Sequence, residues 1–279
     1  MYKVKLCLGT NGQFGLKDEE QILLFHKFGF DGFFTGWKKG QNIKKIKGLA
    51  DSINMIYQSI HAPYLNMDLM WENHEEAKGV IDEMLECLYD CASNKIQVMV
   101  MHAFIGFDKH TPNKRGIEHF RIIINEAKRL GVKIAFENTE GEEYLEALMD
   151  SFKDNEYVGF CYDSGHELCY NRGKDMISLY GERLIATHLN DNLGVKDFNG
   201  NITYLDDLHL LPFDGIANWE NIVARLKKVN FNGPLTFELN KLSKPGRHEN
   251  DEYTKMDINK YLAKAYARAC KVGALFTSS

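Results

Sequence analysis

What this 279-residue chain lacks narrows its class before any motif is considered. Its six cysteines contain no Cys-x-x-Cys pair, so a disulfide framework is not expected and a reducing cytoplasm is the expected compartment. Cys87 and Cys91 stand four apart on an apparent helix and read as two small buried hydrophobes. Met1 to Leu8 carries two lysines and no long apolar run, so neither a signal peptide nor a membrane span is expected. An excess of positive charge is also missing: the formal net charge is -5, and basic residues gather only at Lys38-Lys39 and Lys44-Lys45-Lys47. Strong non-specific nucleic-acid binding is therefore not expected from the overall field, although a local patch remains open. No linker interrupts the chain, which points to one domain over residues 1–279.

What is present is a recurring shape. Val158 to His166 (VGFCYDSGH) and Leu184 to Asp191 (LIATHLND) each begin as a short β-branched and aromatic run and end in acids, histidines and small polar residues. The pattern repeats at Ile60-His61-Ala62-Pro63, at Val98 to His102, at Lys133 to Asn138 and at Leu235 to Glu238. Apolar strands that each deliver a His, Asp or Glu at the C-terminal end converge on one place only if the sheet closes on itself. The expected fold class is therefore α/β, a single (β/α)8 TIM barrel, whose chemistry sits on the face where the strands end. Eight strand-helix pairs can be counted. They run from a first strand at Lys3 to Gly9 to a final helix at Asp257 to Val272, with Gly131 closing the helix Gly116 to Leu130. Between Asp191 and Trp219 lies a long loop without clear periodicity, a length usually reserved for function or disorder.

Glu137, Asp163, His188 and Glu238 lie at the tips of strands five to eight, which are neighbours in a barrel. Three carboxylates and an imidazole form a mixed oxygen and nitrogen site suited to Mn2+, Zn2+, Mg2+ or Co2+. Taken singly, a strand-end Glu is commonly a salt-bridge partner and a lone His a hydrogen-bonded core residue. Four at successive tips are a stronger signal than any one.

The same segments carry a resemblance. Ile60-His61-Ala62-Pro63, Phe136-Glu137-Asn138, Asp163-Ser164-Gly165-His166, His188-Leu189-Asn190-Asp191 and Phe237-Glu238 resemble the xylose-isomerase-like barrel superfamily, which includes sugar isomerases and epimerases, inosose dehydratases and type-IV apurinic endonucleases. The likeness to isomerases implies a metal-dependent sugar or sugar-phosphate isomerase or epimerase. In it Glu137 and Glu238 anchor the ion and move the proton as base and acid. His61, His102, His166 and His209 would bind substrate hydroxyls, with Trp37, Trp71 and Phe104 walling the sugar; packing is the simpler role for these aromatics.

The likeness to the endonucleases implies a second reading, with several zinc ions hydrolysing a DNA phosphodiester. His61 and His102 with Glu137 would hold one ion, Asp163, His188 and Glu238 another, and His166, Asp207 and His209 a third. Glu137-Asn138-Thr139-Glu140-Gly141 is similar to the nuclease form of strand five, and Tyr64-Leu65 can be read as its wedge into DNA. The acidic balance favours the sugar reading, as does Asp207-Leu208-His209-Leu210-Leu211-Pro212 with Gly215 and Trp219, similar to the seventh loop of sugar isomerases. It departs from them at Phe213, where glycine is usual, and at Asn218, where aspartate is usual. Asp191-Asn192-Leu193-Gly194 lacks the arginine typical of ketose 3-epimerases, so that reaction is not expected. A third class is a barrel that has lost catalysis and senses a ligand. Lys241, Lys244, Arg247 and His248 follow strand eight, where barrels often bind phosphate; a solvated mobile loop is the plainer alternative. The expected partner is a small sugar or sugar phosphate, with pairing into a homo-oligomer open.

Overall fold

The computed structural model describes residues 4–108, 111–195 and 202–277. Its strands are β1 (Leu6–Gly9), β2 (Gly32–Gly36), β3 (Ile56–His61), β4 (Val98–His102), β5 (Lys133–Glu137), β6 (Val158–Asp163), β7 (Leu184–His188) and β8 (Leu235–Phe237). Around them run α1 (Asp18–Phe28), α2 (Ile43–Ser52), α3 (His74–Ser93), α4 (Lys114–Leu130), α5 (Glu142–Ser151), α6 (Ser164–Leu168), α7 (Met176–Tyr180), α8 (Trp219–Lys228), α9 (Asp251–Thr254) and α10 (Ile258–Thr277).

The strands form one parallel sheet in the order β7-β6-β5-β4-β3-β2-β1-β8. Its two ends meet at an isolated parallel bridge between Leu189 and Phe237. There the Leu189 N–H donates to the Thr236 carbonyl at 2.7 Å and the Glu238 N–H to the Leu189 carbonyl at 3.2 Å. A nearly closed (β/α)8 TIM barrel results, as the strand tips predict.

Local chemistry explains the alternation. Asn42, Asn73, Asn113 and Asn218 each accept a backbone N–H from the first turn of α2, α3, α4 and α8, the groups a helix start leaves unpaired. Gly131 ends α4 at φ 73°, a left-handed conformation that side-chain-bearing residues disfavour. Within β4 the two-residue period sends Met99 and Met101 outward into the main core under the helices and Val100 inward. Val100 joins Ala135, Cys161 and Ala186 from the next three strands in a separate buried cluster inside the barrel. The polar tips lie at the C-terminal ends of these same strands.

Two short helices, α6 directly after β6 and α9 after β8, escape the sequence pattern because each is too short to show a period. The final helix also runs five residues further than expected, to Thr277. No helix among the described residues is long and apolar enough to cross a membrane.

Candidate metal centre

Strand register brings the expected ligands together. His102 is paired with Glu137 across β4 and β5, and Asp163 with His188 across β6 and β7. Glu238 follows the last residue of β8, beside the Leu189 bridge. One ligand atom from each of Glu137, Asp163, His188 and Glu238 lies within 4.8 Å of the others. The same holds for His61, His102 and Glu137, and for His166, Asp207 and His209. A further group, Glu137, Cys161 and His188, was not foreseen, although Cys161 stands two residues before Asp163 and so shares its face of the strand.

Glu137 is the hub. Its Oε1 is 2.9 Å from His188 Nδ1, and its Oε2 is 3.2 Å from His61 Nε2 and 3.5 Å from His102 Nε2. The side chain is fully buried and both oxygens face imidazoles. Burial alone would raise its carboxyl, yet the charge of His188 and hydrogen bonds from His102, His188 and His61 hold it well below the usual carboxylate range. Glu238 differs. Its Oε2 lies 3.1 Å from His188 Nδ1, but the side chain remains 28% exposed and opens to the mouth. His188 and His209 hold it near about 2 against the opposing effect of burial.

Hydrogen-bond chemistry tests whether a cation fits. His61 Nδ1 lies 2.7 Å from the Ala62 carbonyl and His166 Nδ1 lies 2.9 Å from the Asn138 carbonyl. A carbonyl only accepts, so each Nδ1 must carry the proton, and in the neutral ring Nε2 presents a lone pair. Those lone pairs aim at carboxylate oxygens: His61 at Glu137, and His166 at Asp207 3.3 Å away. His209 repeats the arrangement, with Nδ1 at 3.3 Å from the Glu238 carbonyl and Nε2 at 2.9 Å from Asp207. Lone pair facing lone pair is repulsive unless a second proton or a cation lies between them. Orientation of a ring by a carbonyl on its far nitrogen is also the usual setting of metal-binding histidines. Asp163 adds to the case: burial pushes its carboxyl up to about 6, and no lysine or arginine among the described residues pairs with it. The donor set therefore fits divalent cations.

Aromatic rings back the site histidines. Phe34 stacks on His188 with centroids 4.4 Å apart, Tyr64 on His102 at 4.9 Å, and Tyr170 packs on His166 at 4.9 Å. Trp37 instead donates its indole N–H to Asp90 on α3 at 2.7 Å, and Trp71 donates to the Ala103 carbonyl at 2.9 Å while packing on Phe120 and Tyr144. Phe104 stacks on Tyr144 at 4.1 Å. These three sit in packing and are not among the rings that touch the site histidines. In the basic loop, Lys241 donates to the Thr254 carbonyl, Arg247 pairs with Asp206 and Glu249, and the exposed His248 with Asp251. Lys244 alone of the four reaches a ligand group, 3.7 Å from Asp207 Oδ2.

The (β/α)8 barrel gathers its carboxylates and histidines, the candidate metal ligands, at the strand tips of one face. The chain belongs to the xylose isomerase-like TIM barrel family, whose sequence model matches residues 22–262. A curated relative, the uncharacterized protein y4fM of Sinorhizobium fredii, is 40% identical over 113 residues, 38% of this chain and 33% of that protein. This chain thus matches about a third of that relative's length. Among solved structures, the IOLI protein with a bound zinc atom superposes with a TM-score of 0.73 at 17% identity, over 99% of this chain and 100% of that one. An L-ribulose 3-epimerase superposes at 0.71 with 12% identity, over 97% and 94%. At these identities the likeness is one of fold.

Proposed function

We propose that this protein is a divalent-metal-dependent isomerase of a sugar or sugar phosphate, with Glu238 as the group that moves the proton. The observation that carries the reading is the convergence of Glu137, Asp163, His188 and Glu238 within 4.8 Å, with only Glu238 opening to the mouth. Glu137, Asp163 and His188 would hold the ion with Glu238 at its edge. When bound, the ion supplies positive charge against which the charge developing on the sugar oxygens is stabilised. Glu137 has both oxygens engaged by histidines, so its part is to anchor. Glu238 keeps a solvent-facing side and can take a proton from the carbon beside a carbonyl and return it to the neighbouring carbon. One base on one face suits a shift between adjacent carbons. Inverting a single carbon needs a second group opposite, which is why isomerisation is preferred to epimerisation. His61, His102, His166 and His209 would orient hydroxyls, and Lys244 would meet a phosphate if the substrate carries one. Sugar epimerases among the structural neighbours are consistent with this class.

One observation favours a second reading, hydrolysis of a phosphodiester at several zinc ions. The two further ligand groups are complete, and Tyr64 and Leu65 stand exposed on the lip. Against it, the cations of the loop after β8 are mostly committed to acids or carbonyls, which leaves little to track a polyanionic backbone.

The test is incubation of the Mn2+- or Zn2+-loaded protein with aldoses, ketoses and their phosphates in D2O. Solvent deuterium entering the substrate at the carbon beside the carbonyl is expected. Cleavage of an abasic duplex without deuterium entering any sugar would replace this reading with the second one.

A further inference from the structure

The loop from Asp207 to Trp219 delivers two ligand candidates, yet its own motif has no part in the chemistry above. Its spacing is explained by Asp191, three residues past His188. The Asp191 carboxylate is fully buried and accepts four hydrogen bonds, two on each oxygen. Oδ1 accepts the N–H groups of Asn192 and Ala217, and Oδ2 accepts the N–H of Phe213 and the indole N–H of Trp219, all at 2.9 Å. Four acceptor directions are all that a carboxylate offers, and an amide would supply only half of them. Asp191 and Leu210 also exchange backbone bonds in both directions at 2.9 Å. A Cβ on Gly215 would lie 2.2 Å from Asp191 Oδ1, so glycine is the residue that lets the loop close around this charge. Among the described residues no lysine or arginine pairs with Asp191; its partners are donors of the loop itself and of Asn192.

We infer that Asp191 is a positioning residue: its carboxylate is the post around which the segment from Asp207 to Trp219 is wound, and it sets Asp207 and His209 against His166. Leu210, paired with Asp191, is next to His209, whose backbone sits at φ 49° and whose carbonyl accepts the Asn240 N–H at 2.8 Å. Held from both sides, His209 keeps Nε2 on Asp207, and Asp207 reaches His166. The motif Asp207-x-His209 followed by Gly215 and Trp219 is thus one mechanical unit, with the acid of Asn190-Asp191 as its missing member.

This inference rests on the proposed function for its kinetic readout and on ring geometry for an independent one. Asp191→Asn keeps the shape and turns two acceptor directions into donors that face N–H groups. Sugar turnover should fall by about 100-fold, the scale of a small misplacement of reacting groups. In metal-free protein the ring NMR signals of His209 and His166 should move while those of His188 stay in place. In a background carrying both Asp207→Asn and His209→Ala the same change should cost no further turnover, since what it positions is already gone. Should Asp191→Asn prove unable to fold, Trp219→Phe removes one of the four bonds and keeps an aromatic ring; about 5-fold is expected, the worth of one hydrogen bond. A merely structural Asp191 would lower the melting temperature while leaving turnover and the His209 signals as in the parent protein, and that result overturns the inference. Losses that multiply in that double background overturn it too. If the parent protein turns over no sugar at all, the functional reading fails, and the ring signals alone still decide the role of Asp191.

Discussion

The tips of β5 to β8 and those of β1 and β2 make opposite contributions to one barrel. The first arc ends in Glu137, Asp163, His188 and Glu238; the second ends in Gly9 and Gly36, with no acid or histidine at either tip. Instead β2 supplies Phe34, whose ring lies 4.4 Å from that of His188 at an interplanar angle of 19°. β1 supplies the hollow for that ring, because a Cβ on Gly9 would come within 2.4 Å of it. One arc carries the candidate ligands and the other carries the shape that holds the His188 ring still.

If this division is right, the largest effects come from the charged arc, and its two glutamates part company. Glu137→Gln should strip most bound metal, read by elemental analysis, because the residue is shared by three candidate ligand groups. Glu238→Gln should retain much of the metal and lose turnover by roughly 100- to 10,000-fold, the range for a removed acid-base group. Near-normal turnover in that variant would reject the role given to Glu238. Next comes the shaping arc. Phe34→Ala should cost roughly 3–5 kcal/mol of stability in denaturant titrations and weaken metal binding through a loosened His188, about 10-fold. Should metal affinity stay unchanged while stability falls, Phe34 is only filler and the comparison breaks. Gly9→Ala crowds the same ring and should destabilise by roughly 1–3 kcal/mol with all ligands intact. The smallest effect is outside both arcs. Phe213 holds φ 72°, and Phe213→Gly removes a backbone strain of roughly 1–2 kcal/mol while forfeiting ring contacts with Trp219, so the melting temperature should move by only a few degrees.

That last residue shows how the chain can be read from its letters alone. Phe213 stands where the family resemblance leads one to expect glycine, and its positive φ is a conformation that glycine adopts without strain. The barrel was legible because buried parallel strands are near-continuous apolar runs, and the convergence of the four candidate ligands because each run stops at an acid or a histidine. The aromatic backing was not. Trp37 and Trp71 are the larger rings, but an indole N–H must find an acceptor, and both find theirs in the surrounding packing. Phe34 could have been found from strand period, since Phe33 packs outward on Tyr57 and its neighbour must then point inward. The engagement of Lys241 and Arg247 by a carbonyl and acids arises from folding of the loop after β8 and has no local signature.

The seam of the barrel lies between His188 and Glu238. β7 and β8 touch through the Leu189 and Phe237 bridge, and the two candidate ligands flank it, one on each side. A cation gripping both residues would therefore add one more tie across a seam that two backbone hydrogen bonds already hold. Deuterium exchange at the Leu189 and Glu238 amides would slow on adding Zn2+, ahead of amides in the β4 and β5 ladder.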